Sequence, residues 1–309
     1  YHWRRSNWLI DPNFYLRNYR EVKINNPIFL LGNQGDGLTI ISRVLRRLKN
    51  VISVSGNYKY WAGADEMQQV FGPVLPKELT GLRYKVPSNK YFKPPISWSY
   101  ASSFLINHYR KTKNDYKSEI KTNFQHIIKY CLQKHSIGEV VNSRFIDKSQ
   151  IFTVKLSLIN ELLKENRPKF ILITRDPYAS CLRAANGKAV DMKNHENKYD
   201  YKFRLNVCCE HWKNSMSLAI KDAKEENIDL LYVRFEDFLN YPIETIIKIC
   251  SHTNLEYSEY LLPKKSDILP FGVRFEKRWY PINKNVNEPY YKKLSKEDIE
   301  TINKYCGEL

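Results

Sequence analysis

Residues 27–48 read Pro27-Ile28-Phe29-Leu30-Leu31-Gly32-Asn33-Gln34-Gly35-Asp36-Gly37-Leu38-Thr39-Ile40-Ile41-Ser42-Arg43-Val44-Leu45-Arg46-Arg47-Leu48. The apolar run after Pro27 predicts a buried strand, and apolar residues at 40, 41, 44, 45 and 48 predict an amphipathic helix. Only 11 of 309 residues are glycine, yet Gly32, Gly35 and Gly37 fall together between these two elements. The spacing is G-x-x-x-x-G-L-T, a phosphate-cradling strand-loop-helix in which Leu38 stands where a nucleoside triphosphatase has its lysine, which disfavours a nucleotide kinase. Backbone amides and the helix dipole can hold a phosphate without a side chain, and a tight turn that uses glycine only for positive φ is the alternative.

Outward from this segment, strands and helices alternate. Residues 50–54 predict a second strand and 151–165 a helix. Residues 169–174 predict another strand, 204–226 a long amphipathic helix, and 230–233 a further strand. The pattern predicts an α/β fold, a central, mostly parallel sheet flanked by helices, whose ligands bind at the carboxyl ends of the strands. Arg175 follows one such strand, and Pro177 marks a helix start that carries Arg183 about two turns along, so two arginines border one crevice.

At these residues the chain resembles the sulfotransferases that use 3′-phosphoadenylyl sulfate (PAPS). The loop from Gly32 to Thr39 is similar to the family's 5′-phosphosulfate loop, and Arg175-Asp176-Pro177 to its 3′-phosphate segment. Phe145-Ile146-Asp147-Lys148-Ser149 is similar to its acid-Lys-Thr/Ser segment, and Val233-Arg234-Phe235-Glu236-Asp237-Phe238 to its R-Y-E-D-L segment. The resemblance covers roughly residues 27–250 and implies PAPS as donor, with Asn33, Gln34, Gly35, Asp36, Gly37, Leu38, Thr39, Arg175 and Arg183 at the cofactor. Arg274, Lys277 and Arg278 match a late basic segment that closes over the 3′-phosphate.

Two positions depart from the family pattern. Gly35 stands where an Arg or Lys is usual, with Asp36 beside it, and Arg183 stands where a Ser is usual, with Ser180 three residues earlier. Asp36 is read as a helix N-cap, since a carboxylate facing a phosphosulfate is repelled. Arg183 is expected to bind phosphate at least as well as a hydroxyl does.

The resemblance implies in-line sulfuryl transfer to a hydroxyl or amine without metal. Asp147 is the first candidate base and Lys148 the group that steadies the transferring or leaving charge. Asp147 as an N-cap to residues 151–165 is the competing reading, with Ser149 able to take that job, and Asp65 and Glu66 are alternative bases. Residues 56–113 interleave Tyr58, Tyr60, Trp61, Tyr84, Tyr91, Phe92, Trp98 and Tyr100 with lysines and an arginine, among them Lys77. They suit a carbohydrate acceptor, anionic or already sulfated, unless the aromatics fill a small core of their own.

Fifty Lys+Arg against 33 Asp+Glu leave +17, which fits an anionic partner. That charge is spread along the chain without a nucleic-acid motif, so a nucleic-acid binder is the weaker alternative, as is a PAPS-binding protein that has lost catalysis. No run approaches the ~18 apolar residues of a membrane span, which leaves peripheral membrane association open. The six cysteines show no C-x-x-C spacing, no His pair has helical ligand spacing, and no N-x-[ST] acceptor occurs. Reduced thiols, no metal and a cytoplasmic setting are expected, or a lumenal one had an upstream anchor been removed. A single domain is expected over 1–309, with residues 1–25 an arm on its surface, 26–262 the core, and a final basic-aromatic segment and helix over 263–309 that begins in a capping box at Ser295.

Overall fold

The computed structural model describes residues 12–55, 65–72, 74–80, 99–136, 140–188, 199–267 and 280–309. Its centre is β1 (Ile28–Leu31), every residue of which is buried. Parallel pairing continues on one side to β3 (Arg144–Asp147) and β2 (Val51–Ile52), and on the other to β4 (Lys169–Thr174) and β5 (Leu230–Arg234), giving the order β2-β3-β1-β4-β5.

Successive strand residues face opposite sides of the sheet, and the sequence fills both sides with apolar groups. Phe29, Leu31, Phe145, Phe170 and Leu172 enter one core, and Ile28, Leu30, Ile146, Ile171 and Ile173 the other. The first core is covered by α2 (Ser118–His135), α3 (Leu156–Leu163), α5 (Tyr201–Glu225) and the end of α8 (Lys296–Cys306). The second lies under α1 (Leu38–Leu45), α6 (Phe235–Asn240) and α7 (Pro242–Thr253). α4 (Pro177–Arg183) follows β4 directly.

Several boundaries differ from the sequence expectation for tertiary reasons. The second strand keeps only Val51 and Ile52, because Ser53 Oγ takes the Ser55 amide and turns the chain out of the sheet. Residues 151–165 form a 3-10 stretch (Gln150–Lys155) before α3, since Tyr100 Oη takes the Gln150 carbonyl and Arg110 the Val154 carbonyl that an α-helix would use. The N-terminal segment is more than a surface arm: Phe14, Tyr19, Val22 and Ile24 are buried in the larger core, and the Phe14 ring packs edge-on against Tyr130. The capping box at Ser295 forms as expected, with Asp298. Among the described residues no helix is long and apolar enough to cross a membrane.

Connections leave β1 and β4 toward opposite flanks of the sheet, so the crevice beyond their carboxyl ends is the one such a sheet opens to ligands. Gly32–Thr39 and Arg175 lie there by topology, and Lys148 and Glu236 follow the ends of the neighbouring strands.

Candidate active site

The glycine loop closes by turning its polar side chains inward. Gly37 holds φ +98 and takes the N-cap position of α1, where the amides of Ile40 and Ile41 reach its carbonyl. A Cβ on Gly37 would lie 2.2 Å from the Phe235 ring, so glycine is required there both by φ and by close packing. Asp36 does not cap the helix: its Oδ2 accepts the Asn33 amide at 3.1 Å and its Oδ1 accepts Ser180 Oγ at 2.8 Å. The carboxyl is fully buried, and that burial pushes it up to about 7 against the Ser180 hydrogen bond and the Arg175 charge. Leu38 is buried in the smaller core, behind the loop, while Gln34, Gly35 and Thr39 remain partly exposed. Asn33 Oδ1 accepts Ser215 Oγ at 2.7 Å. Asn33 Nδ2 and Gln34 Oε1 are buried without a partner, two polar atoms at the loop that a ligand can satisfy.

Arg175 is only 4% exposed and is held by neutral groups. Its Nη1 donates to the Gly35 carbonyl at 2.9 Å, and Nε and Nη2 donate to Asn287 Oδ1 at 2.9 and 2.6 Å. The guanidinium lies between the Phe235 and Tyr290 rings, 5.6 Å from each centroid. Asn287 is oriented in turn by Glu236 Oε1, which accepts its Nδ2 at 2.8 Å and the Asp176 amide at 3.1 Å. Asp176 caps α4 through the Tyr178 amide, with Pro177 in the first turn. Arg183, at the end of α4, is half-buried over the loop with Nη1 3.4 Å from the Gln34 carbonyl. Among the described residues neither arginine is in an ion pair. Asn287, Tyr290 and the orienting role of Glu236 carry no local sequence signal.

On the other side of the loop, Lys148 is fully buried and fully matched. Its Nζ lies 2.7 Å from Glu66 Oε1 and 3.1 Å from Asp65 Oδ1. Burial works against the Lys148 charge, but Asp65 and Glu66 hold its pKa above the ordinary value. Arg46 sits 3.1 Å and Arg43 3.9 Å from Asp65 Oδ2. Burial would raise Asp65, yet Lys148, Arg46 and Arg43 hold it below the usual carboxylate range. Glu66 Oε2 accepts Gln68 Nε2 at 2.8 Å, and Gln150 Nε2 lies 3.4 Å from Oε1.

Asp147 caps nothing in residues 151–165. Its Oδ1 accepts the Met67 amide at 2.7 Å and its Oδ2 the Ser149 amide at 2.8 Å, and burial pushes its pKa up to about 6. Ser149 Oγ instead accepts the Gln68 amide at 3.0 Å. The two segments thus tie the turn Met67–Val70 to the end of β3.

Of the expected acceptor aromatics, Tyr58, Tyr60, Trp61, Tyr84, Tyr91, Phe92 and Trp98 lie outside the described residues, as do Arg274, Lys277 and Arg278. Tyr100 is fully buried with its hydroxyl on the Gln150 carbonyl at 2.6 Å, so it belongs to the core and not to an acceptor surface. Lys77 lines a cavity of mixed charge with His108, Lys111, Lys117 and Lys155, in which Glu78 pairs with Lys117 and Asp115 with Lys111. Lys155 donates to the Glu78 and Thr80 carbonyls at 2.7 and 2.9 Å, and burial pulls its pKa down to about 7. The six cysteines are all buried thiols outside any disulfide. The sequence shows no ligand spacing, yet Cys181 of α4, Cys209 of α5 and Cys306 of α8 bring their sulfurs within 4.8 Å of one another.

The family model of the sulfotransferases matches residues 27–259. The fold is similar to that of the sulfotransferase domain from the curacin biosynthetic pathway, at 14% identity and a TM-score of 0.50 over 91% of this chain and 97% of that one. The sulfotransferase domain of the Synechococcus PCC 7002 olefin synthase gives 14% identity and 0.47 over 93% and 97%. A mouse sulfotransferase, SULT7A1, complexed with PAP gives 10% and 0.47 over 94% and 88%. No curated protein matches the chain by sequence.

Proposed function

The chain belongs to the sulfotransferase family, and from that premise we propose that it moves a sulfuryl group from PAPS to a hydroxyl or amine of an acceptor, a carbohydrate by preference, in the cytoplasm and without a metal in the transfer. The observation that carries this reading is Arg175. A buried cation held by a carbonyl, a carboxamide and two rings, with no carboxylate paired to it among the described residues, is a site suited to an external anion. The loop beside it supports the same chemistry, since its partnerless Asn33 Nδ2 and the start of α1 suit a phosphate oxygen.

PAPS supplies an activated sulfur on a phosphate leaving group. The residues of the chain do the rest. The loop amides and α1 hold the 5′ end, Arg175 the 3′-phosphate, and the acceptor oxygen bonds to sulfur as the bond from sulfur to the 5′-phosphate oxygen breaks. Adenosine 3′,5′-bisphosphate (PAP) leaves, and the acceptor proton passes to a carboxylate. Glu66 is our candidate for that role: its oxygens meet the side chains of Lys148, Gln68 and Gln150, which can turn aside, whereas both oxygens of Asp147 are taken by backbone amides and Asp65 is shared among three cations. Lys148 fixes the Glu66 carboxylate in place. A carbohydrate acceptor is supported by the aromatic and basic composition of residues 56–113 and by the polar cavity beside Lys77.

Transfer of labelled sulfate from PAPS to a panel of glycans, simple alcohols and amines tests the reading. Glu66→Gln is expected to lower turnover ~10²–10⁴-fold, the worth of a positioned base, while Asp147→Asn stays within a few-fold. Tight PAP binding with no transfer to any acceptor makes the chain a binding protein instead. The reverse ranking of the two variants returns the base to Asp147.

A further inference from the structure

Arg183 and Gly35 fit each other in a way that gives both a function. A Cβ on Gly35 would lie 2.3 Å from Arg183 Nη1 and 2.7 Å from its central carbon, so the guanidinium occupies the space a side chain at position 35 would need. Gly35 also holds φ +97, which disfavours any other residue. The cation therefore lies on the loop itself, although it comes from the far end of α4.

No carboxylate among the described residues pairs with it. Asp36 is the acid of the loop, but its two oxygens are taken by Ser180 Oγ and the Asn33 amide, and no ion pair to Arg183 forms among the described residues. Among the described residues Arg183 makes one long hydrogen bond, 3.4 Å to the Gln34 carbonyl. Arg175 differs: three of its nitrogens are fixed by Asn287 and Gly35. One arginine is locked at the crevice wall, and the other rests on the loop with donors to spare.

We propose that Arg183 is the cation of the glycine loop, serving the 5′-phosphosulfate and not the 3′-phosphate. This rests on the donor reading above and goes beyond it by dividing the two phosphates between the two arginines. A guanidinium on the loop offsets the negative charge that grows on the 5′-phosphate oxygens as the bond to sulfur breaks. Gly35 makes the room, and the Asp36 carboxyl is turned to Ser180 and the Asn33 amide and not to the guanidinium.

Three nucleotides separate the roles: PAP, adenosine 5′-monophosphate and adenosine 3′-monophosphate, each titrated by calorimetry into the parent, Arg183→Ala and Arg175→Ala. Arg183→Ala is expected to weaken PAP and the 5′-monophosphate by the same ~10–100-fold, the scale of a lost charged hydrogen bond, and to leave the 3′-monophosphate unchanged. Arg175→Ala is expected to give the mirror image. In turnover, Arg183→Ala lowers kcat as well as affinity, and Arg183→Lys recovers part of both because it keeps the charge. Loss of the 3′-monophosphate with the 5′-monophosphate intact overturns the assignment, and so does equal loss of all three, which marks Arg183 as a support of the loop. A parent that binds none of them removes the donor reading, and this proposal with it.

Discussion

Two buried cations flank the glycine loop, and the protein neutralises them in opposite ways. Lys148 meets Asp65 and Glu66 at 3.1 and 2.7 Å, so its charge is answered within the fold. Arg175 meets Asn287, a backbone carbonyl and two aromatic rings, so its position is fixed while its charge remains available. A buried lysine that has its counter-ions holds them in place, the candidate base Glu66 among them; a cation held by neutral groups is, in the reading proposed above, the one open to an anion. The loop between them therefore has a structural side and a binding side, and substitutions should tell them apart.

The largest effect is expected at Lys148. Lys148→Met leaves Asp65 and Glu66 buried beside each other without their shared partner, and should cost about 3–5 kcal/mol of stability, measured by denaturant unfolding. A loss below ~1 kcal/mol would mean that Arg43 and Arg46 already neutralise the cluster and that the contrast is overdrawn.

Next comes pH, read at Asp36. Burial raises its folded pKa to about 7 from 3.8. Between those values the unfolded chain has released the proton while the folded chain keeps it, so this residue's contribution to stability is full below the unfolded pKa, falls as pH rises, and is gone above about 7. Melting curves of parent and Asp36→Asn should diverge across that window by on the order of a few kcal/mol, the variant gaining on the parent as pH rises. Parallel curves would place Asp36 as a carboxylate already ionised in the fold, paired with the binding side.

The smallest effect on the fold, and the sharpest on the ligand, is expected at Arg175. Arg175→Ala should lose about 1.5–3 kcal/mol of PAP affinity by calorimetry. Its unfolding free energy should change far less than that of Lys148→Met, because no carboxylate is stranded. A variant that binds PAP like the parent, or that unfolds as badly as Lys148→Met, erases the distinction between the two sides.

The binding side was the more legible in sequence because it is written locally. The strand, three glycines and helix of residues 28–45 are contiguous, and Arg175 stands beside the Asp176-Pro177 signal that starts α4. What orients Arg175 was not legible, since Asn287 lies 112 residues away with nothing in its neighbours to point to the crevice. Asp36 misled for the same reason. Its proximity to a helix start suggests a cap, but Gly37 already occupies that position, and the partner that claims the carboxyl, Ser180, is 144 residues distant. On the structural side the residues were legible but their pairing was not, for Lys148 and Glu66 are 82 residues apart and meet where Asp147 and Ser149 hold the amides of Met67 and Gln68 at the end of β3. That Asp147 ends a strand was legible; that the Met67 and Ser149 amides donate to its two oxygens was not, since Met67 lies 80 residues away.

The sulfurs of Cys181, Cys209 and Cys306 meet where the final helix lies across α4 and α5, all three sealed from solvent. A thiol reagent in the medium can reach the last of them only when α8 lifts away, so the labelling rate of Cys306 counts how often the C-terminal helix opens. Since Cys181 shares its helix with Arg183, the same clock run with and without PAP reports how far a nucleotide bound at one end of α4 stills the end of the chain.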